Sequence, residues 1–365
     1  MRLAIVHDFL NQFGGAERCI AALHELYPEA PVYTSICDLR RLPEVFQRMD
    51  IRTSFMQRLP LASSFHKYYF MFYPLAFERF DLSEYDVILS SSSAYAKGVR
   101  KRPGQLHICY CYTPARFLWR YEDYVSRENL APLFKQVLPF LLEPLKKWDL
   151  ESSRGVDNFI SISGAVAERV RRIYGRQSDI IYPPVETDYF RPANLDGDYY
   201  LIVSRLVPYK RLDLAVAAFN ELDLPLKIVG GGPARARLER QARPNVEFLG
   251  RLPDEEVKRL LAGCRALVFP GEEDFGIVPL EALAAGRPVI AFRAGGAAET
   301  LRDGETGVFF DEAAPRSLVN AVNRFKFLAF DKDKLRAQAL KFDKRVFQAK
   351  IDKFIRKKYE EKTGQ

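Results

Sequence analysis

The chain has 365 residues, 48% of them hydrophobic, with a formal net charge of +8. That length fits about two domains, each with enough apolar residues for a full core, and no low-complexity or short-period repeat is visible. The positive balance suits anionic substrates or an anionic membrane surface, and with no nucleic-acid motif beside it no nucleic-acid partner is expected. No signal peptide or long apolar span is visible, so the chain is expected to be neither exported by the usual route nor integral to a membrane. Its five cysteines have no disulfide spacing. Cys109 and Cys111 are assigned to opposite faces of one predicted strand and not to one metal, and buried, reduced thiols of a cytosolic protein are expected.

In chain order, Leu3 to Val6 predict a strand, followed by a glycine loop with Gly14 and Gly15 and a helix from about Ala16 to Leu26. Strands come next near 32–36, 87–90, 106–112 and 158–161. His107 is expected in the core. A second array begins with a strand from Tyr199 to Ser204, then strands at 226–229, 246–249, 266–269 and 289–292. Strands alternating with helices predict parallel, helix-covered sheets, hence an α/β fold. Between the arrays, Tyr182-Pro183-Pro184-Val185 cannot continue a helix and predicts a hinge. The expected boundaries are 1–182, 183–343 and a tail helix over 344–365.

Two loops of the second array carry the candidate chemistry. In SRLVPYKR, residues 204–211, Arg205 and Lys210 sit where a strand passes into a helix, the edge where open α/β sheets bind ligands. Arg supplies a planar fork for phosphate oxygens and Lys a point charge. In FPGEEDFGIVPLEALAAGRP, residues 269–288, an acidic turn from Gly271 to Gly276 leads into a helix with Pro279 near its start and Gly286 and Pro288 at its end. The N–H groups of Gly276, Ile277 and Val278 suit a phosphate. Glu273 in the turn and Glu281, read in the first helical turn, are acceptors for sugar hydroxyls. The alternative is that both glutamates merely complement the helix dipole.

Together these residues resemble retaining glycosyltransferases of family 4, whose architecture is GT-B. The E-x7-E pair of that family matches Glu273 and Glu281, and its upstream Arg and Lys match Arg205 and Lys210. ISISGAVAERVRRIYG (160–175), IYPPVETDYF (181–190), IVGGGP (228–233), VEFLGRLPDEEV (246–257) and HDFLNQFGGAERC (7–19) resemble its other blocks. The resemblance implies two Rossmann-like domains facing a cleft, with the tail helix crossing back to the first. It implies a donor site of Gly14, Gly15, Ser204, Arg205, Lys210, Arg251, Glu273, Phe275, Gly276, Ile277, Val278 and Glu281, with Arg205, Lys210 and Glu273 catalytic. His7, Asp8, Glu17, Tyr112 and Arg116 are acceptor-side or sugar-side candidates. Relatives often carry a histidine at Tyr112, a group credited with touching the donor sugar; a neutral phenol can donate a hydrogen bond but cannot act as an imidazolium.

The activity implied by the resemblance is transfer of a hexose from a nucleotide sugar to a glycan or lipid-linked acceptor, with retention and without a separate cofactor. CDLRRLP and YTPARFLW resemble bacterial envelope-polysaccharide members, which favours mannose from GDP-mannose in polysaccharide or lipopolysaccharide synthesis. The enzyme is expected in the cytoplasm, with peripheral contact on the inner face of the membrane. Asp196-Gly197-Asp198 and Asp331-Lys332-Asp333 match the D-x-D pattern of metal-dependent transferases but fall outside the inferred cleft, so no metal is expected. A nucleotide-sugar-binding subunit without catalysis is the alternative. A dinucleotide-dependent oxidoreductase, suggested by Gly14, Gly15 and Asp38, lacks G-x-G-x-x-G. Residues 65–80 and 134–148 mix aromatic and basic groups as interfacial segments do, but most positions are expected in the core. In the tail, Phe347, Ile351, Phe354 and Ile355 recur at helical spacing among lysines.

Overall fold

The computed structural model describes residues 1–119 and 132–364, with side chains of 132–139 left out. The chain divides into two compact units, Met1–Pro184 with Phe347–Gln365, and Val185–Val346.

In the first unit the strands are β1 (Leu3–His7), β2 (Val32–Thr34), β3 (Ile51–Thr53), β4 (Val87–Ser92), β5 (Leu106–Cys111), β6 (Asn158–Ser161) and β7 (Ser178–Ile180). Among the described residues they form one parallel sheet in the order β3-β2-β1-β4-β5-β6-β7. Every residue of β1, β4 and β5 is buried, as central parallel strands covered on both faces require. β3 and β7 are short, largely exposed edge strands with no apolar periodicity, and the sequence reading misses both.

The C-terminal helix, Lys344–Thr363, returns to this unit. Phe347 meets the Tyr110 ring edge-on at 5.6 Å, Gln348 donates to the Ala22 carbonyl at 3.0 Å, and the Tyr27 hydroxyl donates to Asp352 at 2.9 Å. Phe347, Ile351 and Ile355 are the buried stripe.

Two sequence expectations need correction. Side chains two apart on a strand share a face. Cys109 and Cys111 therefore lie side by side, both buried, and the neighbouring Cys109 thiol together with burial raises the Cys111 pKa. In residues 65–80, Tyr73, Ala76 and Phe77 are buried and Tyr69, Phe70 and Phe80 pack partly buried against the same core, but Phe65, Tyr68, Met71, Phe72 and Leu75 are exposed. The core expectation holds for the first six and fails for the other five. For the 134–148 segment, residues 134–139 lie outside the described side chains, while Leu142 and Leu145 are buried and Phe140 and Leu141 exposed. His107 is fully buried, 2.8 Å from Ser90 Oγ, and burial depresses its pKa to about 3, so it is a neutral core residue.

In the second unit the strands are β8 (Tyr200–Val203), β9 (Leu226–Val229), β10 (Val246–Gly250), β11 (Ala266–Phe269), β12 (Val289–Phe292) and β13 (Gly307–Phe310). Their order is β10-β9-β8-β11-β12-β13, all parallel. This is the doubly wound Rossmann order, starting at the centre and winding outward both ways. The core joins Tyr200, Ile202, Phe219, Ile228, Val268, Ile290 and Phe310 with the helices Leu212–Leu222 and Pro315–Phe325. β13 is apolar yet short, and the sequence reading misses it as well. Asp331 caps the helix Lys332–Leu340 by accepting from Asp333 N–H at 2.8 Å, and Asp196 and Asp198 pair with Arg287 and Arg265.

One buried ion pair fixes the loop after β4. Lys97 and Asp149 bond each other while 2% and 0% exposed. Asp149 also accepts from Trp119 at 2.7 Å and Tyr174 at 2.9 Å, and Lys97 donates to the Ala94 carbonyl at 2.8 Å. Removing one partner strands the other charge in the interior. Asp149→Ala is expected to destabilise the protein by about 3–5 kcal/mol. Urea denaturation followed by tryptophan fluorescence checks this, and an unchanged midpoint contradicts it.

Candidate functional site

In each sheet the strand order reverses beside its first strand, between β1 and β4 and between β8 and β11. Loops leaving the carboxyl ends of these strands diverge and open a crevice where such folds bind ligands. The second unit's crevice is built by residues 204–211 after β8 and 270–276 after β11. Arg205, Lys210 and Glu273 all lie on these two loops.

The two loops meet each other. Lys210 Nζ bonds Glu273 Oε1, with the side chains 12% and 21% exposed. Gly271 permits it, because a Cβ there would sit 2.8 Å from the Lys210 Cα. Arg205, on the same loop as Lys210, donates from its guanidinium to the Tyr209 hydroxyl at 2.8 Å. The sequence reading has the lysine and glutamate bind separate parts of a ligand, and the structure adds that they pair with each other. The ammonium neutralises the carboxylate, so Glu273 does not repel an anion nearby, and each side chain holds the other.

Behind the acidic turn the helix Ile277–Ala284 begins, with Gly276 as its cap at φ +85°. Its first turn points the N–H groups of Ile277 and Val278 out of the helix end, which suits an anion. Glu281 is the fifth helical residue and is buried, so its placement in the first turn is corrected to the second. Phe275 is buried against Phe342. Ser204 opens the first loop, its amide donating to Val229 at 3.0 Å, and Arg251 follows β10 beside Gly231.

Sequence reasoning missed Gly295 and Gly296, just after β12. The Gly296 N–H donates to the Glu273 carbonyl at 2.9 Å. A Cβ on Gly296 would lie 2.1 Å from the Phe275 carbonyl oxygen, and one on Gly295, at φ +57°, equally close to that of Glu273. The pair thus lets the acidic turn rest directly on backbone. The available signal is a glycine pair between strand and helix, in RAGGAAET.

In the first unit His7, Asp8, Glu17 and Tyr112 gather at the carboxyl edge, all buried. Asp8 is filled by five protein donors. Its Oδ2 accepts from Ser93 N at 2.5 Å, Ser93 Oγ at 2.8 Å and Ala94 N at 3.0 Å, and its Oδ1 from Tyr95 N at 2.8 Å and Ala96 N at 2.6 Å. Such charge-assisted bonds make Asp8 an anchor of the Ser93–Ala96 loop. Glu17 accepts from Gly14 N–H at 2.8 Å and faces His7 Nε2 at 3.8 Å, tying the loop before Gly15, the first helical residue. His7 Nδ1 is 3.1 Å from Ser91 Oγ, which is 2.9 Å from the Tyr112 hydroxyl. That hydroxyl donates to the Ala16 carbonyl at 3.2 Å. Burial holds the phenol's pKa well above its ordinary value and pushes the Cys19 thiol up to about 12. Arg116, half-buried, opens the short helix Arg116–Trp119.

Two Rossmann-like parallel-sheet units of this kind define the GT-B α/β fold. Residues 186–341, which hold Arg205, Lys210, Glu273 and Glu281, form a domain matching the family Glycosyl transferases group 1. A GDP-mannose-dependent alpha-(1-6)-phosphatidylinositol monomannoside mannosyltransferase of Mycolicibacterium smegmatis is 37% identical over 170 residues, 38% of this chain and 44% of that protein. O-antigen chain mannosyltransferase C of Escherichia coli is 35% identical over 155 residues, 40% and 42% of the two chains. The chain spans about half the length of the curated relatives it matches. Across nearly its whole length it has the fold of Anabaena HepE, solved with UDP-glucose, with a TM-score of 0.73 and 18% identity over 98% of this chain and 100% of that one.

Because the Tyr112 hydroxyl is used within the protein, Tyr112→Phe is expected to cost about 0.5–1.5 kcal/mol of stability, the value of a hydrogen bond. Urea denaturation checks this, and unchanged stability contradicts the internal role.

Proposed function

We propose that this chain is a retaining glycosyltransferase that moves a hexose, mannose from GDP-mannose, to a glycan or lipid-linked acceptor of envelope-polysaccharide synthesis. The observation that carries the transferase reading is the placement of Arg205, the Lys210–Glu273 pair and a helix N-terminus at the β8/β11 crevice. The mannosyl donor rests on the relatives' stated activities over less than half of the chain.

In this reading the bond from the anomeric carbon to the β-phosphate oxygen breaks, and the diphosphate gains charge. Arg205, Lys210 and the N–H groups of Ile277 and Val278 stabilise that charge, so the transfer requires no metal. The acceptor oxygen bonds the anomeric carbon from the face the diphosphate leaves, and its proton passes to the departing phosphate. Glu281 accepts from the nucleotide ribose and Glu273, held by Lys210, from the sugar hydroxyls. Gly14 and Gly15 give backbone access for the diphosphate or the acceptor. Ser204, Phe275 and Arg251 line the donor's surroundings.

A second reading, a nucleotide-sugar-binding subunit without catalysis, draws on Tyr112, whose buried phenol cannot supply an imidazolium. Donor hydrolysis across a panel of nucleotide sugars separates the two, since only an enzyme turns over, and the preferred donor tests the mannosyl assignment. With a turned-over donor, Arg205→Ala and Lys210→Ala should each lower turnover roughly 100- to 1,000-fold, as losing a preorganised contact to developing charge does. Folded variants with near-normal rates would remove both residues from the mechanism.

The two glutamates have separable signatures. Glu281→Gln should weaken free nucleoside diphosphate and intact donor alike. Glu273→Gln should weaken the intact donor or its turnover while leaving the free diphosphate bound. Titration calorimetry with both ligands reads the difference, and the reverse pattern means the roles are exchanged.

A further inference from the structure

The first unit carries an apolar surface that its core does not use. Between β3 and β4 the chain makes short helical turns, Ala62–Phe65, His66–Phe72 and Tyr73–Glu78. Leu61, Phe65, Tyr68, Met71, Phe72 and Leu75 are all exposed there, Leu61 by 70% and Tyr68 by 75%. Leu61 holds φ +50°, a conformation a leucine rarely adopts. The exposed aromatics meet one another, with Phe65 and Tyr68 ring centroids 5.9 Å apart.

The charges within this segment have one sign. No Asp or Glu occurs between Asp50 and Glu78, whereas Arg58 and Lys67 are exposed and form no ion pair among the described residues. An aromatic and aliphatic surface with lysine and arginine and no acid suits an anionic lipid interface, where apolar groups enter the headgroup boundary and cations meet lipid phosphate. No helix among the described residues is long and apolar enough to cross a membrane, so the surface would lie on the bilayer.

The same segment is tied to the candidate acceptor-side loops. Asn11 donates to the Ser63 carbonyl at 3.0 Å, and the Phe9 and His66 rings are 4.8 Å apart. Tyr73 stacks on Tyr95 at 4.3 Å, and the Tyr95 amide is one of Asp8's five donors. We infer that residues 61–75 form a docking surface for an anionic bilayer, placing the carboxyl edge of the first sheet beside lipid headgroups so that the acceptor is lipid-linked. The lipid-linked acceptor rests on the proposed transferase activity; the docking surface does not.

Co-sedimentation of the full chain at low salt tests this, using vesicles of equimolar phosphatidylglycerol and phosphatidylcholine or of phosphatidylcholine alone. The chain should sediment with the anionic vesicles and much less with the neutral ones, and added salt should release it. The combined variant Phe65→Ser, Tyr68→Ser, Phe72→Ser should bind about tenfold less or weaker still, with an unchanged circular-dichroism melt and unchanged hydrolysis of soluble donor. If that variant does not fold, the exposed pair Arg58→Glu, Lys67→Glu carries the test and should abolish the preference for anionic vesicles. Wild-type protein left in the supernatant, equal binding to neutral vesicles, or full binding by the folded aromatic variant each overturns the proposal. So does a concentration-dependent dimer that the aromatic variant abolishes without any vesicle binding. Vesicle binding by a chain that binds no nucleotide sugar would sink the transferase reading and leave the docking surface standing.

Discussion

Reversal of strand order at the centre of each parallel sheet is the constraint on which the rest depends. Crossovers between parallel strands are right-handed, so a chain that starts centrally and winds outward in both directions sends its helices to opposite faces on either side of the reversal. The loops leaving the two central strands are then the ones with no helix packed between them. In the second unit these are the segments with Arg205, Lys210 and Glu273; in the first, those with His7, Asp8 and the Ser93 turn.

The two crevices use charge in opposite ways. Asp8 is satisfied by five donors, and Glu17 is committed to the glycine loop. Those carboxylates shape backbone. In the second unit the Lys210–Glu273 pair remains partly exposed, so solvent or a ligand can reach it. A partly exposed pair screened by water contributes little to stability, whereas the buried Lys97–Asp149 pair is costly to break. Burial therefore sorts structural ion pairs from those available to bind.

The exposed segment after β3 illustrates the limits of composition. Its apolar residues have the same character as core residues, and Tyr73 and Phe77 are core. Breaking the segment into short turns, with Leu61 left-handed and a kink at Tyr69, prevents one continuous stripe from facing inward. Phe65, Tyr68 and Phe72 are left on the outside.

Much of this was legible in the sequence. Buried parallel strands such as LAIVH and ALVF are largely apolar runs, and the Pro279 and Gly286 bounds mark a helix by chemistry that needs no tertiary partner. The placement of Arg205, Lys210 and Glu273 on strand-end loops was also readable, because charged residues cannot continue a buried strand. The strands β3 and β7 were not, since each is held by pairing with a neighbour and carries little hydrophobic pattern of its own. Nor could the sequence say that Glu273 meets Lys210, that Asp8 is consumed by a loop more than eighty residues away, or that the Tyr112 hydroxyl points to Ala16. Local residues determine which segments are strands, helices and turns, because propensity and periodicity act over a few positions. Which side chains meet is decided only when distant loops are brought together, because hydrogen bonds and ion pairs act over a few ångströms of space whatever the separation along the chain.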